Sequence, residues 1–413
     1  MYRTMFFLPA FLLFFTAVSS RVSAKECDSK LAAHMHEFFD GGLYLGAEWR
    51  TFYVFTPSGE DDPKGDGLGQ GGRYEEHHFL TGLRLSSEWL MADAWTFVFE
   101  GDLRYRDPGW KDELIAGLPE FRPQLRQITL EYNASPFQMV VGQQMLTFGS
   151  SALLDQWVVS AVGQMKTRTL NWTVFGGTTN PNTLAMQQSC LWGKITEHRH
   201  KWKGLSDSDF GESRVFGSTI SLKTLRPYRV KMLYLFSDPE RKADRSHALA
   251  LHASGPLIKG ATWKAEPMAL YNDDGDVLAG LVTQVGLRGG IGSGRLGATV
   301  GYAGPVVRPK DVFFSAVYEN LVWGKRQRYS LHDGHLGMVK LDGKIHEAFQ
   351  PFVHYFIQAD PADEAEDRSD ELDAGLKFRY GESYMFEVSY AGLNVCCGDA
   401  PDHGMYAGMR ILL

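Results

Sequence analysis

Hydrophobic and polar residues alternate with period two along most of this chain, in short runs separated by turn-forming residues. The clearest run is 95–105. Trp95, Phe97, Phe99, Leu103 and Tyr105 share one face, and Thr96, Val98, Glu100, Asp102 and Arg104 share the other. Successive side chains of a strand point to opposite faces, so such a run reads as a strand with one apolar side. The chain gives eighteen of them. The first begins near Gly42, with Leu43, Leu45, Ala47, Trp49 and Tyr53 on the apolar face and Glu48 and Arg50 on the other. The next cover about 78–89, 95–105, 124–133, 137–146, 155–165, 170–178, 213–225 and 228–236. The remainder cover about 246–254, 261–271, 277–288, 295–303, 330–341, 346–358, 371–380 and 384–391, and the last ends at Leu413. Residues 25–40 do not alternate and are expected to form a lead-in without a strand.

The connections sort by length. Tight turns such as Ala134-Ser135-Pro136, Lys166-Thr167-Arg168, Arg226-Pro227 and Gly381-Glu382-Ser383 alternate with long polar stretches, 57–76, 107–123 and 179–212 among them. A soluble sandwich has no reason to segregate its loops by parity. A transmembrane antiparallel barrel does, with long extracellular loops and short periplasmic turns. The expected fold is therefore all-β: a transmembrane antiparallel β-barrel of sixteen to eighteen strands over residues 42–413. No run of about 18 apolar residues offers a membrane-crossing helix, and no internal repeat or second domain is visible.

The two ends agree with this. Arg3, the apolar run 6–18 and Val22-Ser23-Ala24 read as a secretion signal over residues 1–24, followed by a periplasmic segment, 25–41. Removing it would leave 413 − 24 = 389 residues and, with Arg3 and Arg21 gone, move the charge from −7 to −9. That acidity argues against nucleic-acid binding. The closing stretch resembles the C-terminal signature of bacterial outer-membrane barrels, with Gly408 followed by Ile411 and Leu413 where the signature usually carries aromatics. Tyr406, Gly408, Ile411 and Leu413 are thus candidates for the signal read by the barrel-assembly machinery. The outer membrane of a Gram-negative bacterium is the expected location, with its lipid and lipopolysaccharide as surroundings.

On a barrel the polar faces line the lumen. The inward basic residues are then Arg50, Arg84, Arg104, Lys223, Arg229, Lys231, Lys264, Arg288, Arg295, Lys377, Arg379 and Arg410. The inward acids are Glu48, Glu88, Glu100, Asp102, Glu131, Glu266, Asp373 and Glu387. Twelve against eight makes a net basic wall, which lowers the barrier to anions, unless the charges mainly pair with each other across neighbouring strands. Eighteen strands enclose a wide bore, so loops must narrow it; 148–155 and 179–212 are the candidates to fold inward.

The stretch Val141-Gly142-Gln143-Gln144-Met145-Leu146-Thr147-Phe148-Gly149, with Leu153-Leu154-Asp155 and Val162-Gly163 after it, resembles the central motif of the alginate-export family of outer-membrane barrels. The resemblance implies eighteen strands and an Arg-rich lumen that passes an anionic polysaccharide. The family's Gly-Arg-Gln stands here as Gly142-Gln143-Gln144, so its basic residue is absent, and Gly142 and Gln144 correspond only as structural positions.

Other chemistry is thin. Cys190 has Cys396 and Cys397 as disulfide candidates in an oxidising compartment. His198 and His200 lack a recognised zinc spacing, no Cys-x-x-Cys-His haem motif occurs, and no metal or cofactor is implied. Asp333 and His335 are the residues a surface hydrolase would use, but no Gly-x-Ser-x-Gly elbow accompanies them. The expected function is a channel, not an enzyme: passive passage or export of hydrophilic solutes, anionic saccharides or polysaccharide among them. The alternatives are a non-specific diffusion porin and a barrel sheath around a partner electron carrier.

Overall fold

The computed structural model describes residues 36–38, 42–55, 77–106, 121–149, 153–179, 213–239, 245–292, 294–307, 334–346, 348–359, 368–381, 383–393, 395–396 and 402–412. They form nineteen strands: β1 (His36–Phe38), β2 (Leu43–Phe55), β3 (His77–Ala92), β4 (Trp95–Arg106), β5 (Phe121–Ala134), β6 (Phe137–Phe148), β7 (Leu154–Lys166), β8 (Leu170–Thr179), β9 (Ser213–Leu222) and β10 (Arg229–Pro239). The chain continues through β11 (Ser246–Ile258), β12 (Ala261–Asn272), β13 (Val277–Ile291), β14 (Gly294–Val307), β15 (His335–Lys344), β16 (Phe349–Ala359), β17 (Arg368–Tyr380), β18 (Tyr384–Leu393) and β19 (Asp402–Leu412). From β2 onward each strand pairs antiparallel with the next, and β19 returns to pair with β2. The result is a closed barrel of eighteen strands, which leaves no open sheet edge.

Residues 36–38 depart from the expected strandless lead-in. β1 pairs with β2 through His36↔Leu45, Glu37↔Tyr44 and Phe38↔Leu43. On that side of β2, β19 reaches only as far as Leu412↔Glu48, so β1 occupies the part of the edge that β19 leaves bare. Three residues are too few to show a period.

Burial alternates as the sequence does. On β2, Glu48 is 0% exposed, Trp49 44% and Arg50 6%. The exposed side is apolar around the whole barrel, as in Leu130, Val141, Leu251, Val285, Val300, Val353 and Val388. Aromatic residues cluster toward its two ends. Trp89, Phe137, Trp172, Tyr228, Phe349, Tyr380 and Tyr384 stand near the short turns. At the other end Tyr234 and Phe236 surround His247, which stacks on Tyr271 at 4.7 Å, and Tyr302 packs on His335. An apolar band between two aromatic girdles belongs to a barrel that crosses a bilayer. From Trp263 to Tyr271 is eight residues, roughly 20 Å of height at ~3.3 Å per residue and a tilt of ~40°.

Candidate functional site in the barrel lumen

The inward side chains fall into three groups. The first spans β2 to β5 and β19, halfway up the wall. Glu48 holds Arg50 on its own strand and Arg410 of β19, so the closure of the barrel is bridged by charge. Arg84 lies 3.7 Å from Glu48, 3.5 Å from Glu100 and 2.9 Å from Asp102. Arg126 lies 2.7 Å from Glu100 and 3.2 Å from Asp102. Four guanidinium groups thus interleave with three carboxylates. All but Glu100 and Arg410 are almost wholly buried. In this network Arg50, Arg84, Arg410, Glu100 and Asp102 satisfy one another, so they brace the wall and offer little charge to a passing solute. Arg104 pairs in register with Gly82 and Arg122, but its side chain lies outside the described residues.

Arg126, at 1% exposed the largest fully buried side chain among the described residues, escapes period-two reading. β4 and β5 pair as Glu100↔Gln127 and then Gly101↔Leu125, which leaves Arg126 as a bulge. A bulge inserts one residue and reverses the facing of everything beyond it. Leu125 and Ile128, three apart, therefore both face outward while Arg126 and Thr129 face inward. Two outward apolar residues at that spacing were the only signal in the sequence.

The second group is apolar. Phe148, Leu153 and Leu154, at the tip of the β6–β7 hairpin, pack against inward residues from β8 to β16, including Phe175, Leu235, Leu270, Leu278 and Phe356. The tip reaches β12. A Cβ built on Gly149 would stand 2.6 Å from Oε1 of Glu266, and the φ of +71° at Gly149 is one that glycine tolerates best. Glu266 is fully buried and meets Nδ1 of His252 at 2.7 Å. Residues 148–149 and 153–154 thus lie within the bore; 150–152 and 180–212, the other expected constriction, lie outside the described residues.

The third group lies within about one turn-end of the short connections, along β10 to β19. Arg229 and Lys231, Lys264, Arg288, Arg295, Lys377 and Arg379 all take inward positions there. Lys340 joins them; its strand alternates too weakly in sequence to have placed it. It sits 5.2 Å above the ring of Phe356, and Lys377 sits 5.1 Å above Phe352. The inward acids at that height are Asp342, 3.0 Å from His354, and Glu387, 3.6 Å from Lys377. Arg229, Arg288, Arg295 and Arg379 have no carboxylate partner among the described residues. Across the barrel at the same level the charge is opposite, with Glu88 and Glu131 buried on β3 and β5. Lys223 donates to the carbonyl of Thr167 in a neighbouring turn.

The alginate-like motif sits where β5 and β6 separate. Gly142 has φ +133°, and a Cβ on it would stand 2.0 Å from the carbonyl oxygen of Ile128. Gln143 donates from Nε2 to the carbonyls of Leu125 at 2.9 Å and Arg126 at 3.1 Å. Gln144 donates to Oγ of Ser160. Gln143 thus ties backbone of β5, and Gln144 ties β6 to β7 through side chains.

In the closing strand, Tyr406 is buried on the lumen side and Gly408 pairs with Glu387 and Phe52. Ile411 pairs with Trp49 and Tyr384; Leu413 lies outside the described residues. Cys396 is an exposed free thiol among the described residues. Its turn is held by Asp370, whose carboxylate accepts from the Cys396 amide at 3.1 Å. Cys190, Cys397, His198, His200 and Asp333 are outside the described residues. His335 meets the hydroxyl of Tyr302 at 2.6 Å on the outer face, where a hydrolytic role has no support. No cluster of three metal-ligating side chains occurs among the described residues.

No family model and no curated protein matches this chain. Its fold is similar to that of Pseudomonas aeruginosa OccK5 (OpdH), at 12% identity over 92% of this chain and 99% of that one, with a TM-score of 0.59. It is also similar to P. aeruginosa outer membrane protein OpdK solved with vanillate, at 10% identity over 90% and 98%, TM-score 0.57, and to P. aeruginosa OpdL, at 14% identity over 90% and 98%, TM-score 0.54. At these identities the likeness carries the fold, a closed barrel of the outer-membrane porin type. The alginate-export resemblance is not shown by them.

Proposed function

We propose that the protein is a passive channel of a Gram-negative outer membrane for small anionic solutes that carry an apolar body. The observation behind this reading is the inward basic group along β10 to β19, in which Arg229, Arg288, Arg295 and Arg379 face the lumen without a carboxylate partner among the described residues. Charge rings at a pore mouth raise the local concentration of counter-ions. The apolar inner wall beside it receives the rest of such a solute. The fold likeness to OpdK, solved with vanillate, an aromatic carboxylate, supports the same class. A hairpin that spans from β6–β7 to Glu266 of β12 argues against a polysaccharide and against an enclosed carrier protein, both of which need an open bore.

Single-channel recording in planar bilayers under a salt gradient tests it. The wild type gives a reversal potential on the anion side. Replacing Arg229, Arg288, Arg295 and Arg379 together by Glu moves it to the cation side. A wild-type channel that favours cations, or a folded protein that does not conduct, overturns the proposal.

A further inference from the structure

The wall of the barrel parts beside the β6–β7 hairpin. β5 and β6 pair only from Ile128↔Gln143 down to Ala134↔Phe137, although β5 runs up to Phe121 and β6 to Phe148. On the other flank, β7 pairs with β8 from Val158↔Thr179 to Lys166↔Asn171, and the residues that would lie opposite the top of β7, 180 onward, lie outside the described residues. The top of β6, 144–148, therefore pairs with β7 and not with β5. It leans inward onto the apolar group. Seven paired residues of β5 rise roughly 18 Å from the turn at the usual rise and tilt, short of the ~25 Å apolar band of such barrels. Leu125 and Ile128 still face outward as apolar residues above and at the break.

Unpaired carbonyls at membrane depth are costly unless satisfied within the protein. Above the break, the carbonyls of Leu125 and Arg126 both accept from the Gln143 side chain. The left-handed Gly142 and the Arg126 bulge set the geometry that lets Gln143 reach them. The edge is thus finished with a side chain where a strand would otherwise lie; Leu125 and Ile128 face outward beside it, and Phe148, Leu153 and Leu154 belong to the apolar group inside the bore.

We propose that the gap between β5 and β6 is a side portal, through which the hydrocarbon or aromatic body of a small amphiphilic anion passes between the lumen and the bilayer. This goes beyond conduction along the barrel axis but rests on the channel reading.

The test uses the full barrel in vesicles with its four native cysteines replaced by Ser and Met145→Cys, on the outward face of the hairpin above the break, carrying a small fluorophore. Val141→Cys, in the lipid-facing wall below the break, is the lipid reference, and Arg288→Cys is the aqueous one. Phospholipids brominated on the acyl chain are the membrane quencher and iodide is the aqueous quencher. Lipid quenching at position 145 of at least half that at 141 supports the portal; less than half overturns it. Thr147→Cys replaces Met145→Cys if the latter does not fold. A bulky maleimide polymer on position 145 should slow uptake of a fluorescent medium-chain fatty acid at least several-fold and leave chloride conductance unchanged. Equal loss of both overturns the portal while leaving the channel intact. Absence of conductance in the unmodified protein is instead a failure of the channel reading.

Discussion

Arg126 offers the most direct measure of how the inner wall is built. Replacing it by Met keeps much of the volume and removes the charge. Removing one partner of a buried ion pair costs about 3–5 kcal/mol, because the other charge is left without compensation. Here compensation is partial. Arg84 stays 2.9 Å from Asp102 and 3.5 Å from Glu100. The network also passes from four guanidinium groups against three carboxylates to three against three. The expected loss is therefore at or just under the low end, about 2–3 kcal/mol. The assay is urea unfolding of the barrel in lipid vesicles followed by tryptophan fluorescence, with the midpoint falling at unchanged slope. Asp102→Asn, alone and combined with Arg126→Met, should show a coupling of about 1 kcal/mol or more in the double-mutant cycle. A loss below about 1 kcal/mol, the value of an exposed pair, would mean that water reaches the network and that it lines the pore.

Three further outcomes follow from the geometry. Gly142→Ala places a Cβ 2.0 Å from the Ile128 carbonyl at φ +133°, so it should lower stability by about 3 kcal/mol or prevent folding; a heat-modifiable band of normal yield would contradict this. Shortening the hairpin tip over 149–153 to a two-residue turn should raise single-channel conductance, and an unchanged value would show that the tip does not set the bore. Deleting Ile411 to Leu413 removes the Ile411↔Trp49 and Leu412↔Glu48 pairings and should block assembly, read as protein absent from the outer-membrane fraction.

Much of the barrel is legible at the level of the single strand. The alternation placed all eighteen barrel strands, with ends that moved by a few residues, because one face meets lipid and the other does not. The same alternation set the inward positions of Glu48, Arg229, Lys264 and Arg379. It failed at Arg126, where a bulge interrupts the period, and at β1, which is three residues long. It also could not say which charges are used up. Glu48 and Arg410 lie 362 residues apart in the chain (410 − 48), and only the register of closure brings them together. Whether a lumen residue is a brace or a selectivity charge is therefore a property of the closed sheet. Arg50 and Arg379 look alike in sequence, and only the first lies beside a buried glutamate.

The pairing of β1 bears on how the last strand finds its place. Strand alternation rejects a slip of one residue, which would turn Arg410 toward lipid at a cost of about 2–4 kcal/mol near the bilayer centre. It does not reject a slip of two, which keeps every side chain on its proper face. On β2, however, only Gly46 and Ala47 lie between the end of β19 at Glu48 and the start of β1 at Leu45. A β19 displaced by two toward the turns would put Leu412 opposite Gly46, and the next residue would meet Leu45, already bonded to His36. β1 therefore acts as an end-stop: three residues near the start of the chain gauge the docking of its last strand, and they block the two-residue slip toward the turns to which the hydrophobic pattern is blind.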